Sequence, residues 1–184
     1  LKVAACTNPT CNPTVSAADT YTPDSANIVG YYTSIAIGLD GNPIISYYDQ
    51  SDGNLKVAAC NDPTCTTSTN ATLDSTDIVG WYTSITIGTN GNPIISYWDF
   101  TNGDLKVAAC TNPTCNPTVS AADTYTPDSA GNVGQFTSIT IGTNGNPIIS
   151  YTDGTNYDLK VAACTNPTCN PTVSAADTYT PDSA

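Results

Sequence analysis

The chain contains no histidine, arginine, glutamate or methionine, and its four lysines are its only cationic side chains. Its acidic side chains give a formal net charge of −12 at pH 7. Because phosphate binding requires a basic face, this composition argues against nucleic-acid partners and against anionic membrane surfaces. The absence of histidine also removes the most frequent general base, and we expect no enzymatic activity.

Long apolar segments are also absent. No run approaches the roughly 20 residues of a membrane-spanning helix, so we expect no membrane insertion. No signal peptide is visible and the chain does not begin with Met. We interpret the sequence as an interior slice of a longer precursor whose export signal lies outside it.

The sequence consists of near-identical repeats. The string LKVAAC starts at Leu1, Leu55, Leu105 and Leu159, and GNPIISY starts at Gly41, Gly91 and Gly145. Residues 1–26, 105–130 and 159–184 are identical. Self-similarity at a period of about 50 residues indicates a modular array. Catalysis needs one site where different residues converge, whereas near-identical modules present the same surface repeatedly.

The cysteines occur as four C-x4-C pairs, namely Cys6/Cys11, Cys60/Cys65, Cys110/Cys115 and Cys164/Cys169. An even number at fixed local spacing suggests disulfides and an oxidising compartment. Zinc is the competing interpretation, but zinc sites usually need two close ligand pairs or added histidine. We predict that each bridge joins the two members of one pair, because the intervening turn brings facing positions of two strands within reach.

Each unit indicates four short strands, which we letter a to d. In the first complete unit we predict strand a at 33–37, strand b at 44–48 and strand c at 55–60. Strand d is poorly marked, and in the first unit it falls within 14–22. Turn residues separate the strands. Strand b is apolar or aromatic on both sides, as expected for a strand between two neighbouring blades.

Four antiparallel strands in a repeated unit of about 50 residues are the signature of a β-propeller blade. We therefore predict an all-β fold, a β-propeller with four blades of which 3.5 repeats are present. The expected module holds a half-blade of strands c and d at 1–28, followed by complete blades at 29–78, 79–132 and 133–184. The missing a–b hairpin would come from the continuation of the array or from a neighbouring copy. An open superhelical stack of blades is an alternative.

The pattern T-S-I-x-I-G-x-x-G-N-P-I-I-S-Y-x-D, followed by L-K-V-A-A-C-x4-C, resembles secreted bacterial tandem β-propeller proteins. Some members of that group string four-bladed propellers into extracellular fibres. The resemblance covers essentially the whole chain. It implies a structural role without catalytic residues, copies of the chain as partners, and a location outside the cell or at its surface.

The loops after strand b are the weak candidates for a metal site. Their carboxylates could hold calcium, although none matches a complete calcium loop with its distal glutamate. Turn formation is the competing role for these residues, and we expect no other cofactor. The candidates are Asp49, Asp52, Asp99, Asp104, Asp153 and Asp158.

The lysines that open strand c are predicted to form structural ion pairs. Lys2, Lys56, Lys106 and Lys160 are copies of one position. In a hairpin, the last three lie nearly opposite Asp49, Asp99 and Asp153. An exposed pair of this kind contributes about 0–1 kcal/mol.

Aromatic side chains cluster before strand a, at Tyr31, Tyr32, Trp81, Tyr82 and Phe136. We expect them to pack between blades, because buried aromatic rings dominate core energetics. Their alternative role is to stack on sugars. The sequence therefore predicts a non-catalytic structural block of an extracellular array or fibre, with a lectin-like, glycan-binding propeller as the alternative.

Overall fold

The computed structural model describes residues 1–14, 17–116 and 122–181. Within these ranges the chain forms strands and turns and no helix long and apolar enough to cross a membrane. The strands are β1 (Val3–Ala5), β2 (Asp19–Tyr21), β3 (Val29–Ile37), β4 (Pro43–Asp49), β5 (Asn54–Cys60), β6 (Ser68–Asp74), β7 (Val79–Ile87), β8 (Pro93–Asp99), β9 (Asp104–Cys110), β10 (Ala122–Asp128), β11 (Val133–Ile141), β12 (Pro147–Asp153), β13 (Asp158–Ala163) and β14 (Asp177–Tyr179).

The described strands form antiparallel sheets in chain order. The half-blade pairs β1 with β2, and three four-stranded sheets follow. We call them blade 1 (β3–β6), blade 2 (β7–β10) and blade 3 (β11–β14), each with strands a to d in sequence. The all-β fold of four-stranded propeller blades is thus confirmed. The predicted unit boundaries and the single closed module stay predictions.

Strand a is longer than predicted. It begins at Val29 in blade 1 instead of residue 33, and ends at Ile37 as expected. Its pairing with strand b shifts register twice, between Val29 and Tyr31 and again between Tyr31 and Ser34. Tyr32, in the second irregularity, has a left-handed φ of 52°. These bulges break the alternation of side chains, so the first half of the strand carries no period-two signal.

Strand b confirms the expectation of burial on both sides where two blades enclose it. Every residue of β4 and β8 is buried. In β12 the burial alternates, because the side that faces away from blade 2 is not covered to the same extent. We call the side of a blade that packs on the next blade its forward face, and the opposite side its backward face.

The core lies between consecutive blades. Ile44, Leu55 and Val57 on the forward face of blade 1 form one cluster with Ile85 and other residues on the backward face of blade 2. The equivalent cluster joins blade 2 to blade 3.

The backbones of neighbouring blades approach closely at one repeated position. A Cβ atom at Gly80 would lie 2.8 Å from the Cα atom of Leu55, and one at Gly134 would lie 2.6 Å from that of Leu105. Gly80 and Gly134 also have positive φ angles. Glycine is therefore required there for both space and conformation.

Candidate functional site

The acidic loops after strand b close their own turns. One carboxylate oxygen of Asp49 accepts hydrogen bonds from the backbone N–H groups of Ser51 and Asp52, at 3.0 and 3.3 Å. Asp99 and Asp153 accept equivalent bonds. Asp104 and Asp158 lie directly across the hairpin from Asp99 and Asp153.

The carboxylates of Asp49, Asp99 and Asp153 therefore serve as turn acceptors. In the described part of the chain, no three histidine, cysteine, aspartate or glutamate side chains gather as a metal-binding group.

The predicted partners of the strand-c lysines are wrong in blades 2 and 3. Lys106 Nζ lies 2.5 Å from Asp74 Oδ2, and the same 2.5 Å separates Lys160 Nζ from Asp128 Oδ2. In blade 1, Lys56 Nζ is 2.9 Å from Asp24 and 3.6 Å from the predicted Asp49. The closer partner lies at the end of the preceding unit, so these ion pairs join neighbouring units instead of closing one hairpin.

A tyrosine on strand b shares each of these aspartates. The phenol oxygen of Tyr47 donates to Asp24 at 2.6 Å, and the phenol of Tyr97 donates to Asp74 at the same distance. Each lysine Nζ also lies 5.7–5.9 Å from the ring centre of the neighbouring tyrosine. We call each trio a blade clamp, with the members Asp24–Tyr47–Lys56, Asp74–Tyr97–Lys106 and Asp128–Tyr151–Lys160.

The environment fixes the charge state of the blade clamps. Burial by itself raises the pKa of the Asp74 carboxyl, but hydrogen bonds from Lys106 and Tyr97 outweigh it and lower the pKa overall. The same balance lowers the pKa of Asp24 and Asp128. Burial and the nearby carboxylate raise the pKa of the tyrosines, namely Tyr47, Tyr97 and Tyr151. An ionised carboxylate between an ammonium and a protonated phenol fits a structural contact.

The cysteines form local disulfides, Cys6–Cys11, Cys60–Cys65, Cys110–Cys115 and Cys164–Cys169. The predicted geometry differs in one respect, because the second cysteine lies in the turn before strand d. Strand β6 begins at Ser68, which is the residue that faces Cys60. Cys65 has a left-handed φ of 61°, and its N–H donates to the carbonyl of Asp62. The tight turn itself therefore brings the sulfur atoms together.

A polar contact accompanies the apolar core between blades. The hydroxyl of Ser46 on strand b of blade 1 lies 2.6 Å from the hydroxyl of Thr83 on strand a of blade 2. Thr137 donates to Ser96 at 2.7 Å across the next interface. These bonds satisfy hydroxyl groups that are buried between the sheets.

The forward face of blade 3 is open. Leu159 is 45% exposed, whereas the same position is fully buried at Leu55 and Leu105. Ile148 is also exposed, although its copies Ile44 and Ile94 are buried. The surface that seals an interface in blades 1 and 2 is thus presented to solvent in blade 3.

The backward face of blade 1 is partly open. Ile35 is 56% exposed, while its copy Ile85 is 7% exposed. A cavity of about 190 Å³ lies beside it, between residues 1–4 of the half-blade and Ile45 of blade 1. In each complete blade, strand c pairs with strand d on one edge and with strand b on the other. In the half-blade, the edge of β1 opposite β2 borders this cavity.

An aromatic cluster runs across the blades at the bulge of strand a. The rings of Tyr32 and Tyr82 have centres 4.7 Å apart, and those of Tyr82 and Phe136 are 4.3 Å apart. Trp81 contacts both Tyr48 of blade 1 and Trp98 of blade 2. The predicted packing between blades therefore holds for Trp81 and Tyr82, whereas Tyr31, Tyr32 and Phe136 are 49%, 36% and 63% exposed.

Sequence reasoning missed the aspartates of the blade clamps, Asp24, Asp74 and Asp128. A signal was available, because each stands a constant 32 residues before its lysine. The spacing alone does not identify the contact, because the aspartate opposite each lysine in its own hairpin lies nearer to that lysine in sequence.

Comparisons with known proteins add little to this description. No protein-family model matches the chain, and no curated protein does. One solved structure that aligns with it is a fucose lectin from Kordia zhangzhouensis in complex with methyl-fucoside, at 12% identity and a TM-score of 0.44. The alignment covers 71% of this chain and 90% of the lectin. A likeness of this size carries no argument here. The chain's own sheets define its class, an all-β protein of propeller blades.

Proposed function

We propose that the chain is a non-catalytic structural block of an extracellular array or fibre of β-propeller blades. The observation that supports this proposal is that positions sealed between blades are open at both ends of the blade series. Leu159 and Ile148 are exposed on the forward face of blade 3, and Ile35 is exposed on the backward face of blade 1. Each open surface is a copy of a surface that already binds a blade within this chain.

The occupant of the cavity beside the half-blade is an a–b hairpin of another repeat. Its strand b would pair with the free edge of β1, as β4 pairs with β5 in blade 1. Main-chain pairing at such an edge is a known means of joining β-structures. The hairpin would come from a further repeat of the same chain or from a neighbouring copy.

The blade contacts also indicate a stiff array. Successive blades share an apolar core, hydroxyl pairs and blade clamps, and no flexible Gly/Ser-rich spacer separates them. Blades held directly against one another keep a fixed separation. The disulfides are typical of an oxidising compartment, which supports a location outside the cell or at its surface.

The test compares residues 1–184 with a longer chain that carries a copy of residues 27–54 after Ala184. We expect residues 1–184 to self-associate as concentration rises and the longer chain to be monomeric, by analytical ultracentrifugation. Hydrogen exchange should show amide protection of β1 only in the longer chain or in the oligomer. A scrambled extension of the same composition is the control.

The proposal is overturned if residues 1–184 are monomeric at all concentrations with β1 already protected. Leu159→Asp tests the forward face separately. It places a charge on the open apolar surface and should weaken self-association, while Leu39→Asp, at an exposed turn position, should leave it unchanged.

A further inference from the structure

Blades 1 and 2 differ in the residue that follows strand b. Gln50 and Phe100 are copies of the same residue, the first after Asp49 or Asp99 at the end of strand b. The Phe100 ring stacks on Trp81, with ring centres 4.9 Å apart and planes 27° apart. It also meets the edge of Trp98 at 5.4 Å. In blade 2 the chain's own six-membered ring therefore lies on Trp81 beside Trp98, and it remains 46% exposed.

Blade 1 leaves open the space that corresponds to the Phe100 ring. Where Gln50 replaces the phenyl ring, a cavity of about 150 Å³ remains between blades 1 and 2. It is lined by Tyr31, Tyr32, Tyr48, Gln50 and Trp81. Tyr31 is the copy of Trp81, and it is 49% exposed. Phe100 lies on Trp81 beside Trp98, and Tyr31 and Tyr48 are the copies of those two residues. A six-membered ring lying on Tyr31 beside Tyr48 is therefore the shape that fits.

We infer that this cavity binds a neutral pyranose sugar. One face of a pyranose ring presents C–H groups that pack on an aromatic face, while its hydroxyl groups need hydrogen-bond partners. In the described part of the chain, the Gln50 side-chain amide has no hydrogen bond to another residue, and it offers both a donor and an acceptor. An apolar pocket with few polar groups is the usual form of a small-molecule site. A purely apolar ring would make no use of this exposed amide, whereas sugar hydroxyl groups can bond to both its donor and its acceptor.

Charge and geometry disfavour the other classes of ligand. An anion would meet a chain with a net charge of −12. A cation cage needs ring faces arranged around the ion, within about 6 Å of each ring centre. Here Tyr32, Tyr48 and Trp81 contact one another, with ring centres 5.4–6.2 Å apart and planes inclined at 31–57°, so the space among these three rings is filled by the rings themselves.

The site goes beyond the proposed structural role and does not depend on it. It lies between two complete blades of this chain, away from both open faces, so it is present whether or not the array assembles. An array would repeat the site along its length and raise its avidity for a surface rich in sugars.

The test titrates residues 1–184 with methyl glycosides of glucose, galactose, mannose and fucose, and separately with tetramethylammonium. Binding is followed by tryptophan fluorescence and, independently, by saturation-transfer NMR. We expect saturable binding of at least one glycoside, with a dissociation constant on the order of 1–10 mM. Gln50→Phe, which places in blade 1 the ring that Phe100 supplies in blade 2, should weaken it at least ~10-fold.

Tyr31→Ala removes the exposed stacking ring and should have the same effect without filling the cavity. Tyr157→Gly removes an exposed tyrosine outside the cavity and should leave binding unchanged. The inference is overturned if no glycoside binds saturably, if only tetramethylammonium binds, or if folded Gln50→Phe and Tyr31→Ala proteins bind as the unchanged chain does. Failure of the array proposal alters none of these readouts.

Discussion

The carboxylate of Asp74, at the end of one blade, lies 2.6 Å from the phenol oxygen of Tyr97 in the next blade. Lys106 shares that carboxylate, and all three side chains are buried. The arrangement recurs around Asp24 and Asp128. Buried charge is tolerated here because each carboxylate is both paired and hydrogen-bonded. The blade clamps therefore add charged contacts to interfaces that otherwise consist of an apolar core and hydroxyl pairs.

Removing the carboxylate charge of one blade clamp should destabilise the fold strongly. Asp74→Asn leaves the buried Lys106 without its counter-ion, and we expect a loss of about 3 kcal/mol in the free energy of unfolding by urea titration. Asp40→Asn is the matched control, because Asn90 and Asn144 hold the same turn position in the other repeats. It should change stability by less than about 0.5 kcal/mol. A similar effect of both changes would contradict the clamp.

Acid should weaken the interfaces through the same carboxylates. Hydrogen bonds from the tyrosine and lysine overcome burial and hold the pKa of Asp24, Asp74 and Asp128 below the usual value. A group with a lowered folded pKa stabilises the protein above its unfolded pKa of about 4.

We therefore expect the free energy of unfolding to fall as the pH drops below about 4 and through the folded pKa values. Urea titrations between about pH 7 and about pH 2 measure the loss. Asp74→Asn should show a smaller loss than the unchanged chain. Equal pH dependence in the two proteins would argue against an ionised clamp.

One loop carries a strained residue that the other repeats avoid. Tyr157 has a φ of 64°, and its copies Gly53 and Gly103 each have a φ of 75°. A left-handed conformation costs a non-glycine residue about 1–2 kcal/mol, partly offset by the greater freedom of glycine in the unfolded chain. Tyr157→Gly should therefore raise stability by about 0.5–1 kcal/mol in thermal or urea unfolding. Gly53→Tyr, the reverse change, should lower it by a similar amount.

The disulfides should be local in the purified protein. The paired Cα atoms lie 4.8–5.1 Å apart, which is within the range for a bridge. Peptide mapping without reduction should recover each cysteine linked to its partner five residues away, and bridges between repeats would refute this. Because the loops are short, Cys60→Ser with Cys65→Ser should cost only about 2 kcal/mol.

Repeats and local patterns predict much of the local structure. Turn residues and the strings GNPIISY and LKVAAC place strands b and c to within one residue of β4 and β5. The spacing of five residues between cysteines also predicts the pairing, because it depends on one turn. These features are local, so neighbouring residues determine them.

The tertiary structure decided which groups meet across blades. The sequence pattern predicted Asp99, in the same hairpin, as the ion-pair partner of Lys106. Blade packing instead places Asp74 Oδ2 2.5 Å from Lys106 Nζ. It also decided that a cavity remains beside Gln50 in blade 1 where Phe100 stacks on Trp81 in blade 2, and that the first half of strand a is bulged. The contact between Lys106 and Asp74 joins residues 32 positions apart. Such contacts depend on how whole sheets stack, and a period of two along one strand contains no information about that stacking.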